Sequence, residues 1–278
     1  PDFVGAATIT VPAAAFTDGA GNDNTSGAVS LAVNTTAPTV AITSSATTLG
    51  SNDTAVISFV LSADSVDFTY VGDGGANDDI TVTGGTLSGF SGSGSTYSVI
   101  FTPDDASTTP GQISVAADKF QDADTNKNLA GALATAITID TVAPTTTIDN
   151  PSPASVGIGE TSTISITLGK PSADFAIGDI AVAGGTLGDF VAVSSTVYTV
   201  VFTPDADSIT NGTINVPAGV FTDAAGNDNA AATEKTITVD TAAPEVTVSS
   251  SVASVATGET ATITFTLSEE SSDFVIND

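Results

Sequence analysis

The sequence has no cysteine, histidine, arginine, methionine or tryptophan in 278 residues. Without cysteine no disulfide can staple the fold, so an extracellular chain of this kind needs packed cores or bound metal. Without histidine or cysteine the usual nucleophile–base pairs cannot form, and zinc and copper lose their preferred ligands. The only cations are Lys119, Lys127, Lys170 and Lys235, set against 32 carboxylates for a net charge of −28. That balance excludes nucleic acid, because no cationic surface exists to displace phosphate counterions. It equally disfavours anionic lipid. No apolar run approaches the ~20 residues of a membrane-spanning helix, so no membrane insertion is expected, and no signal peptide is visible. Long helices are not expected, since no stretch carries apolar residues at a 3.6 period.

What is present is threonine, serine, valine, glycine and aspartate, the vocabulary of short strands and tight turns. It is also repetitive. TAPTVAITSS at 36–45 recurs as VAPTTTIDNP at 142–151 and AAPEVTVSSS at 242–251. DITVTGGTLSGF at 79–90 recurs as DIAVAGGTLGDF at 179–190, and YSVIFTPDD at 97–105 as YTVVFTPDA at 198–206. The anchor prolines set periods of 144 − 38 = 106 and 244 − 144 = 100 residues, most of the difference being an insertion, VGDGGAND, after Tyr70. The expected organisation is two full repeats, 38–143 and 144–243, flanked by the last third of a repeat at 1–37 and the first third of another at 244–278. On this reading the chain is a window on a longer tandem array.

Each repeat reads as seven short strands, lettered A to G. In the first full repeat, A follows the Ala-Pro, B is TAVISFVLS, C and D are DITVTGG and TLSGF, E is TYSVIF, F is QISVAADKF and G is TAITID. Strand B alternates, with Ile57, Phe59 and Leu61 on one face and Val56, Ser58 and Val60 on the other. Seven such strands per ~100 residues predict an all-β, antiparallel sandwich of immunoglobulin type. Phe101 and Phe202 belong to its core.

The combination of D-T-x-A-P, D-I-T-V-x-G-G-T-L, F-T-P-D and F-T-D-x-A-G-N resembles the bacterial Ig-like tandem repeats of very large surface adhesins. These include the RTX adhesins exported by type I secretion. The resemblance covers essentially the whole chain. It implies a secreted, cell-surface extender region, often stiffened by calcium. A surface-layer protein or self-associating filament, in which copies of the chain are partners, is the alternative.

An Ig sandwich has a leading pole, carrying the B–C and F–G loops, and a trailing pole, carrying the A–B and E–F loops. The acids gather at these poles. Around the Asp140–Pro144 linker the expected set is Asp53, Asp104 and Asp140 from the departing repeat, with Asp174 and Asp223 from the arriving one. Around Asp240–Pro244 it is Glu160, Asp205, Asp240 and Asp273. At the first linker Asn34 replaces the aspartate, with Asp67 and Asp122 facing it. Hard oxygens in this number suit Ca²⁺, which takes six to eight carboxylate and carbonyl ligands, better than Mg²⁺. The competing reading is solvated loop ends, since Asp and Asn are common turn formers. The insertion faintly resembles the glycine–aspartate repeats of RTX calcium rolls, but one copy cannot build a roll and it reads as a loop.

No enzyme is expected. Paired carboxylates could serve a glycosidase, but here they recur once per repeat, which suits a structural staple. One loop is written three times, at 16–24, 120–128 and 221–229, leaving F-x-D-x-x-x-N-x-N in common. Phe is expected to plug the sandwich end, Asp to face the linker and the asparagines to shape the loop.

Overall fold

A computed structural model describes residues 2–75 and 77–275. The chain divides into two compact units, Pro1–Ala143 with Ala225–Asn227, and Pro144–Ala224 with Asp228–Asp278.

The first unit opens with an antiparallel pair, β1 (Val4–Val11) and β2 (Gly27–Asn34), in register from Val4 opposite Asn34 to Val11 opposite Gly27. The full repeat follows as β3 (Val40–Ser44), β4 (Thr48–Leu49), β5 (Ala55–Leu61), β6 (Ile80–Thr83), β7 (Gly85–Ser93), β8 (Thr96–Pro103), β9 (Gln112–Val115), β10 (Gly131–Ala132) and β11 (Thr138–Ile139). One sheet runs β3-β5-β8-β7, which is the A-B-E-D order. Strands β6, β9 and β10 form the facing sheet, while β4 pairs in parallel with β11. Strand A is thus split, its second half leaving the first sheet to join strand G.

The second unit repeats the plan with β12 (Thr146–Ile148), β13 (Ser155–Val156), β14 (Ser162–Leu168), β15 (Ala181–Ala183), β16 (Gly185–Ala192), β17 (Val197–Pro204), β18 (Gly212–Asn215) and β19 (Lys235–Val239). Its sheets are β12-β14-β17-β16 and β13-β19-β18-β15. A final antiparallel pair, β20 (Val246–Ser250) and β21 (Ile263–Leu267), carries strands A and B of the next repeat.

The period-2 pattern decides which side chains meet. In β5, Ala55, Ile57, Phe59 and Leu61 are buried while Val56 and Val60 face solvent. Phe101 and Phe202 are both fully buried. Each core has an aromatic centre in place of the disulfide and tryptophan of antibody domains. Phe68 contacts Phe59, Phe90, Tyr97 and Phe120, and Phe175 contacts Phe190, Tyr198 and Phe221. Phe120 and Phe221, from the thrice-written loop, are therefore core residues of their own repeats.

Two sequence expectations need adjustment. Strand F stops at Val115 and does not reach Phe120, because Asp118 turns the chain with φ of 63°. Strand G is reduced to β11 in the first repeat, with Ile137 adding an isolated bridge to Gly111.

The chain crosses between sheets at the Gly-Gly pair joining C to D. Gly84 and Gly184 have φ of 75° and 72°, a region that side-chain-bearing residues seldom adopt. A Cβ on Gly85 would lie 2.3 Å from the Thr102 carbonyl oxygen and 2.6 Å from the Phe101 ring. On Gly185 it would lie 2.3 Å from the Thr203 carbonyl oxygen and 2.7 Å from the Phe202 ring. Both repeats therefore need two adjacent glycines here, one for conformation and one for room.

Candidate functional site

The leading pole is organised by the F–G loop. In its middle copy the Asp122 side chain is buried. Its Oδ1 accepts the N–H groups of Asp124 and Asn126, each at 2.9 Å, and its Oδ2 accepts the Asn126 amide at 3.0 Å. The copy at 16–24 has the same bonds, from Ala20, Asn22 and the Asn22 amide to Asp18. This is an Asx turn: the carboxylate folds its own loop.

The second asparagine serves a different end. Asn128 Oδ1 accepts the N–H groups of Lys119 (2.7 Å) and Phe120 (2.9 Å), and its Nδ2 donates to the carbonyls of Ala116 and Leu129, both at 2.8 Å. All four hydrogen-bonding positions of the amide that a buried site can use are taken. Asn229 does the same with Val220, Phe221, Pro217 and Ala230. Asn24 keeps the bonds to the Phe16 N–H and to the Pro12 and Thr25 carbonyls. The asparagines were expected to shape the loop, but the four backbone groups that the second one binds were not legible in the sequence.

The linker is tied to this loop. Asn34, the last residue of β2, donates through Nδ2 to Asp124 Oδ2 at 2.8 Å and to Asp122 Oδ2 at 3.4 Å, while its carbonyl accepts the Asn126 amide at 3.2 Å. Within the same unit, the Asn227 amide donates to the Asp140 carbonyl at 2.8 Å, and Asn227 Oδ1 accepts the Ser51 N–H at 2.7 Å.

The B–C loop acids hold the F–G loop in place. Asp67 Oδ1 accepts the Gln121 N–H at 2.8 Å. Asp174 accepts both the N–H and the hydroxyl of Thr222, the latter at 3.0 Å. Asp273 instead accepts the Ser271 hydroxyl of its own B–C loop at 2.7 Å. Asp223, nearly inaccessible, accepts the Lys170 ammonium at 2.8 Å.

These bonds set the titration. Burial by itself pushes the Asp122 carboxyl up, but the Asn126 amide and the loop N–H groups outweigh it and hold its pKa below the ordinary 3.8. For Asp174 the Ser172 hydroxyl leads, followed by the Thr222 N–H, again lowering the pKa. A carboxyl depressed in the folded state adds stability above its unfolded pKa and loses it as pH falls through the folded value. The F–G loop amides should therefore keep constant protection from pH 8 down to about pH 5 and lose it below about pH 4. Hydrogen exchange across that range checks this, and Asp122→Asn should flatten the acid limb. Asp79 behaves oppositely: its burial raises the pKa, so its contribution improves on acidification.

The trailing pole is built differently. One carboxylate closes the A–B turn in every copy: Asp53 accepts the Gly50 N–H at 2.9 Å, Glu160 the Gly157 N–H at 2.9 Å and Glu259 the Ala256 N–H at 3.0 Å. The interchange of Asp and Glu follows from this shared role. Asp104 and Asp205 are exposed and offer their carbonyls to the hydroxyls of Thr141 and Thr241, both at 2.7 Å. The same hydroxyls accept the Ser107 and Ser208 N–H groups at 2.8 and 2.9 Å. Thr141→Val keeps the shape and removes the hydroxyl. It should cost roughly 1–3 kcal/mol, read as a shifted urea midpoint. In the second repeat Glu160 borders two clefts, one of ≈ 220 Å³ shared with Asp205 and Asp207, the other of ≈ 210 Å³ shared with Asp240.

The two poles fit a cation unequally. At the leading pole, the oxygens of Asp122 already accept N–H donors. At the trailing pole the acids are largely exposed, and Asp53, Asp140 and Glu160 each accept a backbone N–H on one oxygen. Among the described residues no three acidic side chains converge into a metal-holding group. In the insertion, Asp78 accepts the N–H groups of Val71, Gly72 and Gly74 and so spends its carboxylate on ordering the loop.

The bacterial Ig-like domain family matches residues 34–139, 140–239 and 240–278. The chain belongs to that family. Several solved structures resemble this chain at low identity. The Escherichia coli adhesin FdeC is 14% identical, at a TM-score of 0.28, over 83% of this chain and 72% of its own. InvD of Yersinia pseudotuberculosis is 19% identical, at 0.30, over 77% of this chain and 63% of its own. The I9–I11 tandem of titin scores 0.29 at 12% identity, over 76% of this chain and 68% of its own. Likenesses at this level carry no inference about activity. No curated protein matches the chain.

Proposed function

We propose that this chain is part of the extracellular stalk of a large bacterial surface adhesin, its linkers stiffened by calcium. The observation that carries this reading is the repetition of one Ig-like unit with a linker acid and two loop acids at each trailing pole: Asp53, Asp104 and Asp140, then Glu160, Asp205 and Asp240. An enzyme would need one distinctive site, whereas here the same polar ends recur. On a chain of net charge −28, the acids at each trailing pole repel one another unless a counter-ion is present. Calcium bound at these acids, together with carbonyls of the same turns, would relieve that repulsion and resist bending of the linker. A cysteine-free chain also suits export unfolded by a type I route, with folding outside the cell where calcium is abundant.

Calorimetric titration of calcium into the full chain tests the proposal. Binding should weaken at least tenfold when Glu160→Gln and Asp240→Asn are combined, by analogy with removing carboxylate ligands from other calcium sites. A wild-type titration without heat or saturation would overturn the calcium part of the reading.

A further inference from the structure

The leading-pole aspartates carry an inference of their own. It rests on the stalk reading for its setting, but not on calcium being bound at the trailing poles. Asp122 and Asp223 occupy the same position of the F–G loop, and both are buried. A buried carboxylate needs compensation. In the first full repeat it comes from amides, those of Asn126 at 3.0 Å and Asn34 at 3.4 Å, with two loop N–H groups on the other oxygen. In the second it includes an ammonium, Lys170 Nζ, at 2.8 Å. Aligning strand B and the residues after it places Ala63, Lys170 and Glu269 at one repeat position. The lysine is therefore peculiar to the repeat whose buried aspartate it meets. The linker residue is Asn34 before the repeat with Ala63, Asp140 before the repeat with Lys170 and Asp240 before the repeat with Glu269.

We propose that the leading-pole aspartates are not metal ligands, and that Lys170 is a built-in cation holding the second repeat's F–G loop closed without calcium. Asp174 supports the same closure by gripping the Thr222 N–H and hydroxyl. A calcium ion at Asp223 would have to displace an ammonium already within hydrogen-bond distance. At Asp122 it would have to displace amide donors that also fold the loop. The stalk would then hold two kinds of polar end, one that answers to calcium and one that does not.

Amide hydrogen exchange on the full chain separates these roles. In wild type, protection of residues 221–229 should be the same in chelator and in millimolar calcium. Lys170→Ala should lower that protection about tenfold in chelator, as expected for loss of one charge-assisted hydrogen bond. Lys170→Arg should retain it, while β14 and β17 stay protected in all variants. The proposal is overturned by a calcium-dependent gain of tenfold or more in the wild-type loop, by an unaffected loop in Lys170→Ala, or by loss of protection throughout β14 and β17. Absence of calcium binding in calorimetry would defeat the stalk's calcium stiffening and leave this result standing.

Discussion

Asn128→Ala should destabilise the first full repeat by roughly 3–5 kcal/mol, a large share of the ~5–15 kcal/mol that holds a typical domain. The side chain is almost wholly buried and exchanges four hydrogen bonds with backbone groups on both sides of the F–G loop. Alanine leaves two N–H groups and two carbonyls without the partner that the amide supplied. Each such group costs about 1–3 kcal/mol, partly recovered if the loop opens to solvent. Asn128→Asp keeps the acceptor but loses both donations and adds a buried charge, so it should be no milder at neutral pH. Asn229→Ala should reproduce the effect in the second repeat, and Asn24→Ala should be far milder because its loop is exposed. Urea unfolding with a probe in each repeat measures all four.

The second large effect falls on the sheet crossing. Gly185→Ala should cost about 2–4 kcal/mol, because the new methyl would lie 2.3 Å from the Thr203 carbonyl and 2.7 Å from the Phe202 ring. Neither neighbour can yield easily. Thr203 belongs to β17, which pairs across β16, and Phe202 is fully buried in the core. Gly184→Ala should add backbone strain of roughly 1–2 kcal/mol to a contact at 2.7 Å with the Asn211 carbonyl. By contrast Gly188→Ala, at a position with no atom close to the added methyl, should be nearly silent. A ranking of Gly185→Ala above Gly188→Ala by less than about 1 kcal/mol in equilibrium unfolding would contradict the crossing as described.

Much of this architecture was legible beforehand. The alternation in TAVISFVLS marked Ile57, Phe59 and Leu61 as core because a strand has a period of two and only one face of this sheet is covered. The Gly-Gly pair was read as the end of C, whereas Gly85 begins β7. Strand F was read too long because no glycine or proline interrupts Ala116–Phe120, while the turn there depends on Asp118 adopting a left-handed conformation, which composition does not announce. The poles were read as acid-rich ends, yet acidity alone could not sort their members. A carboxylate that folds its own loop, as Asp122 does, and one that stands exposed at a linker, as Asp240 does, are the same letter. The difference lies in which donors the backbone turns toward each oxygen. The same limit hid Asn128, whose value comes from four partners spread between Ala116 and Leu129.

The central claim is that calcium belongs to the folded stalk, and thermal unfolding of the full chain tests it most directly. At a free calcium concentration a hundredfold above its Kd, linkage predicts about 2.7 kcal/mol of added stability. That corresponds to a rise in Tm of roughly 10–20 °C for repeats of this size, reversed by chelator. Melting curves that superimpose in calcium and in chelator would contradict it.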